Sequence, residues 1–144
     1  MWKARLVILI LAVSLFLIGA HWLNKAPIPK ASRSAADIHE RLIADYQAFN
    51  DAWYDGALPK DTTILYYSSP GYSIGETTQT DDKFEIFINS YYDRDLREAE
   101  LTEFHEMCHV KVEVIDGPEL EDHGPKWVKC MRERAAAGAF DNLW

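Results

Sequence analysis

The stretch FHEMCHVKVEV, residues 104–114, constrains this chain more than any other. It sets His105 and His109 four residues apart, with Glu106 directly after the first. A helix brings side chains at that spacing onto one face, one turn apart. On a helical wheel with Leu101 at zero, Phe104, Cys108, Val112 and Ile115 fall within about 60° and form the expected buried stripe. His105 then lies near 40° and His109 near 80°, on the shoulder of that stripe, with Glu106 just beyond at roughly 140°. Two imidazoles so placed can reach one zinc ion, while the glutamate addresses a water rather than the metal. The alternative is a helix whose two histidines are simply hydrogen-bonded, with Glu106 on a solvated face.

A catalytic zinc takes three protein ligands and leaves a fourth place open. The candidate third ligand is His123, which stands just before Gly124 and Pro125. Proline suits a first helical turn, so His123 sits at the mouth of a final helix, after a turn that reverses the chain. It can thus swing back over the HEMCH helix. His21 belongs to an N-terminal apolar run and His39 to an upstream helix, and both compete poorly. His123 as an ordinary loop histidine is the other reading.

The remaining chain reads as a small α+β domain. Apolar residues Ile38, Leu42, Ile43, Tyr46, Phe49 and Trp53 recur at helical spacing, and Asp55-Gly56 with Pro59 ends that helix. TTILYYS and KFEIFINS are β-branched and aromatic and predict strands, with a third strand in GYSIGETTQT between them. Helical pattern returns from Asp95 to Ile115, breaks at Asp116-Gly117-Pro118, and resumes from Pro125 to about Ala137. KFEIFINS is a candidate sheet edge that could hold an extended substrate, or else an interior strand. Thr102 and Glu113 share the histidine side of the helix and are candidates to orient an imidazole; a solvated face explains Glu113 as well. Cys108 and Cys130 both fall on apolar stripes and read as buried thiols. Outside the cytoplasm a disulfide between their helices is the alternative.

Charge separates the N-terminus from this domain. Residues 1–33 hold five basic side chains (Lys3, Arg5, Lys25, Lys30, Arg33) and no acidic one, so the remainder carries 10 basic and 23 acidic residues, net −13. Such a surface repels phosphate backbones, and no nucleic-acid partner is expected. Between Arg5 and Lys25 lie 19 residues, largely the apolar run LVILILAVSLFLIGA. At 1.5 Å per residue they just span a hydrocarbon layer of about 30 Å. Residues 1–24 are therefore expected to be a single transmembrane anchor with Trp22 at the interface, or a signal peptide cleaved after Ile18-Gly19-Ala20. KAPIPKASRS (25–34) reads as a linker. The domain at 35–144 is expected outside the cytoplasm, tethered to the membrane or exported.

LTEFHEMCHV followed by DHGPKW resembles the SprT-like metallopeptidase domain, which includes the Spartan proteases. FNDAWYDGALP (49–59), the KFEIFINS strand, HEMCH (105–109) and HGPKW (123–127) match that family's motifs in order, over about residues 36–140. The resemblance implies a small zincin-like fold, a zinc held by His105, His109 and His123, Glu106 as general base, and a protein or peptide substrate. Two features depart from the family. A membrane segment is unusual there, and two cysteines cannot build the four-cysteine ribbon that many members carry. The family's role at DNA–protein crosslinks is not expected here. Two other functions stay open: a non-catalytic, metal-stabilised protein-binding domain at the membrane, and hydrolysis of another amide such as a cell-wall crosslink.

Overall fold

A computed structural model describes residues 33–141. They belong to the second of two units into which the chain divides, Ser32–Trp144. The expected anchor or signal segment at 1–24, and most of the linker, lie outside the described residues. Among the described residues no helix is long and apolar enough to cross a membrane.

The domain is α+β, with three helices and one three-stranded sheet. Helix α1 (Ala35–Tyr54) begins at a capping box: Asp37 N–H donates to Ser34 Oγ at 3.1 Å, and Ser34 N–H donates back to Asp37 Oδ2 at 3.0 Å. It buries Ile38, Leu42 and Tyr46. Ile43, expected in the same stripe, is instead 49% exposed. The helix ends where Asp55 and Gly56 turn left-handed, at φ 55° and 69°. Buried Asn50 secures the exit by exchanging two hydrogen bonds with the backbone of Leu58, each 3.0 Å.

Strands β1 (Thr63–Tyr67), β2 (Gly75–Thr80) and β3 (Lys83–Asn89) lie in the order β1-β3-β2. β2 and β3 form a hairpin in which Thr80 faces Lys83 across Asp81-Asp82, and β1 runs parallel to β3. β3 is thus the central strand, with both backbone edges paired, and cannot be the edge that receives a substrate. Its hydrophobic run fits a strand flanked on both sides. β1 and β2 are the two edges, and β2, a polar strand, is the one that packs beside Glu106. Ile64, Tyr66, Phe84, Ile86 and Ile88 join residues of α1 and α2 in the core.

Helix α2 (Leu96–Lys111) starts at Asp95, whose Oδ1 accepts from Glu98 N–H at 3.0 Å. It packs against α1, the sheet and helix α3 (Pro125–Ala136). Phe104, Met107, Cys108 and Val110 are fully buried. The expected stripe ends early, because Val112–Asp116 form a π-helical turn. Hydrogen bonds that reach one residue further put more residues into each turn, so the 100° period no longer applies. Ile115 consequently points outward, 47% exposed. Cys108 and Cys130 are buried as expected, but not as thiols. They are joined in a disulfide that staples α2 to α3, with their Cα atoms 5.9 Å apart.

Candidate metal centre

Helix α2 delivers His105 and His109 from consecutive turns, and the loop before α3 delivers His123. Their ring centroids form a nearly equilateral triangle with sides of 5.2, 5.0 and 5.1 Å. One nitrogen from each ring lies within 4.8 Å of the others. His105 Nε2 and His123 Nε2 are 3.1 Å apart. Tetrahedral zinc with bonds of 2.0–2.1 Å sets its ligand nitrogens about 3.3 Å apart, close to the His105–His123 separation, and the three rings lie near enough together to hold a metal ion. Burial, then the neighbouring His109 and His123, pushes the His105 pKa down to about 4, and burial lowers that of His109 as well. Burial thus disfavours the charged form of both rings, and the neutral form is the one a metal requires.

Trp127 forms the floor of the triangle. Its centroid lies 4.6 Å from His105, 5.5 Å from His109 and 4.3 Å from His123, and its indole N–H donates to the His105 carbonyl at 3.4 Å. Pro125 starts α3 two residues earlier, so helix geometry fixes where the indole stands.

Glu106 lies beside the triangle and is 4% exposed. Its Oε1 is 4.0 Å from His105 Nε2, and its Oε2 accepts a 2.8 Å hydrogen bond from Thr77 Oγ of β2. Burial raises its pKa to about 7. The Thr77 hydrogen bond opposes that rise, and the charges of Asp122 and Glu76 add to it. A carboxyl tuned near neutrality is suited to exchange protons. Gly75 makes this approach of strand and helix feasible. A Cβ there would stand 2.5 Å from Glu106 Oε1 and 2.6 Å from Thr102 Cγ2.

All four residues predicted for the site are therefore brought together. His39 is not among them; its Nε2 lies 2.8 Å from the Ile64 carbonyl oxygen. Thr102 interacts with Asp93 instead, opposing the rise that burial gives the Asp93 carboxyl pKa. Glu113 lies in the exposed part of the π-helical turn. Thr77 escaped the sequence analysis because β2, GETTQT, carries no motif that marks one threonine from another. Asp122 Oδ1 lies 3.8 Å from His109 Nδ1, on a side chain that is otherwise in solvent.

Comparison with protein-family models finds no match, and comparison with curated proteins finds no relative of significant similarity.

Proposed function

We propose that this chain is a zinc-dependent peptidase with a SprT-like core. The observation that carries the reading is the convergence of three imidazoles beside a buried glutamate whose second oxygen is already fixed by Thr77. A purely structural metal site has no use for that glutamate. Zinc bound by His105, His109 and His123 would supply the Lewis acid that activates water and polarises the carbonyl of the substrate amide.

Glu106 then handles the protons. It takes one from the water whose oxygen attacks the amide carbon, and it returns one to the amine nitrogen as the carbon–nitrogen bond breaks. Thr77 holds Oε2, so Oε1 is the oxygen that faces His105 and the reacting water. The free edge of β2 runs past the same glutamate. An extended peptide laid along it would gain backbone hydrogen bonds and bring its amide to the site. This edge, rather than β3, is the place for a substrate.

The disulfide supports an oxidising compartment, since such bonds persist outside the cytoplasm. Together with the apolar run at residues 6–20, it favours a domain that is tethered to the outer side of a membrane or exported. The test is hydrolysis of a mixed peptide library by the zinc-loaded full-length protein and its Glu106→Gln variant. Zinc content should be equal, and activity should fall roughly 10²–10⁴-fold in the variant. Equal activity would remove Glu106 from the chemistry and with it the peptidase reading.

A further inference from the structure

His123 is the one candidate ligand borne on a loop, and its ring is exposed. Locally it has a turn in which Gly124 N–H donates to the Glu121 carbonyl at 3.2 Å, and the Trp127 ring 4.3 Å away; neither fixes the loop against the start of the helix. Helix α3 begins at Gly124, which has no side chain to cap the helix, and at Pro125, which has no N–H to donate. The cap comes from elsewhere. Glu119, on the loop before His123, accepts from Lys126 N–H at 2.8 Å with Oε1 and from Trp127 N–H at 3.1 Å with Oε2. The carboxylate satisfies two unpaired donors at the positive end of the helix.

Lys126 closes the loop from the other side. Its Nζ donates to the carbonyls of Asp116 and Gly117, each at 2.8 Å, where the π-helical turn ends. The ends of the segment 117–124 are thus pinned by two reciprocal contacts, loop side chain to helix backbone and helix side chain to loop backbone. Gly124 is fitted to this arrangement. A Cβ on it would lie 2.8 Å from the Glu119 carboxyl carbon and 2.9 Å from both oxygens.

From this geometry we infer that Glu119 is a positioning residue for the metal centre: it holds the 117–124 loop against α3 so that His123 meets His105 and His109. The inference rests on the zinc site proposed above. It assigns to Glu119 the part that partners beyond the ligands play in metal sites, where their loss weakens metal binding about 10–100-fold.

The experiment measures zinc Kd by competition with a chromophoric chelator, on the full-length protein. Glu119→Ala should bind zinc about 10–100-fold more weakly than the parent. Glu119→Gln keeps one amide oxygen that can accept a backbone N–H, and should fall between the two. Gly124→Ala, which drives the carboxylate out, should match Glu119→Ala. The deciding readout is the double variant. If Glu119 acts through His123, adding Glu119→Ala to His123→Ala changes Kd no further, because the ligand it positions is already gone. Circular dichroism of the metal-free forms should be unchanged in every variant. An unaltered Kd in a folded Glu119→Ala protein would overturn the inference while leaving the zinc site standing. So would an equal further loss in the His123→Ala background, which would mean a general effect on the fold. A folded parent that binds no zinc overturns the inference and the metal centre together.

Discussion

Reducing the Cys108–Cys130 disulfide tests how α2 and α3 are held together. The bond closes a loop with a sequence separation of 22. In the chain-entropy treatment, closing a loop of that size removes about 11 cal/mol/K from the unfolded chain, or about 3 kcal/mol at 25 °C. For a domain of this size such a loss corresponds to a melting temperature roughly 10–15 °C lower. The native state gains nothing from the reduced form that would offset it. Both sulfurs are fully buried and lie beneath the Tyr54 hydroxyl, at 3.5 and 3.9 Å, so two thiols would have to separate inside a packed core. The assay is urea unfolding of metal-free protein, followed by tryptophan fluorescence, with and without reductant, the thiols being counted by alkylation and mass spectrometry. The reduced protein should be about 3 kcal/mol less stable. Coincident unfolding curves from samples with both thiols demonstrably free would refute the account of the cross-link.

Other outcomes follow from single positions. Gly75→Ala pushes a methyl group into Glu106 and Thr102; peptide hydrolysis should fall at least tenfold while zinc content, measured by atomic absorption, stays at the parent level. Glu103 is fully buried, and among the described residues neither carboxyl oxygen has a hydrogen-bond partner. Burial, and then the charges of Asp45 and Glu100, raise its pKa well above the usual carboxylate range. A raised folded pKa means stability that is present below the unfolded pKa, about 4.3, and lost as pH rises. Glu103→Met should therefore stabilise the domain by about 1–3 kcal/mol at pH 7. The gain should shrink toward pH 4, as read by denaturant unfolding at each pH; a gain that grows on acidification would contradict the assignment.

The parts legible in the sequence were those fixed by local geometry. HEMCH had to lie on a helix for its spacing to mean anything, and Pro125 marked the start of α3 with His123 at its entrance. Gly56 and Pro59 marked the end of α1. Longer-range features were not legible. The order β1-β3-β2 depends on a parallel pairing between strands that β2 separates in sequence, so KFEIFINS looked equally like an edge and a centre. The disulfide depends on two Cα atoms coming within 5.9 Å across helices, and on compartment, neither of which apolar stripes reveal. Ile115 was assigned to the core by a period that the π-helical turn interrupts. Thr77 and Glu119 act through tertiary hydrogen bonds, and nothing adjacent to either in the chain announces them.

The most direct test of the central claim is the metal content of the full-length protein, compared with His105→Ala, His109→Ala and His123→Ala. The account predicts about one zinc per chain in the parent, and zinc lost or much weakened in each of the three variants. A folded parent without zinc, or a His123→Ala variant that binds it as tightly as the parent, would contradict the three-histidine centre.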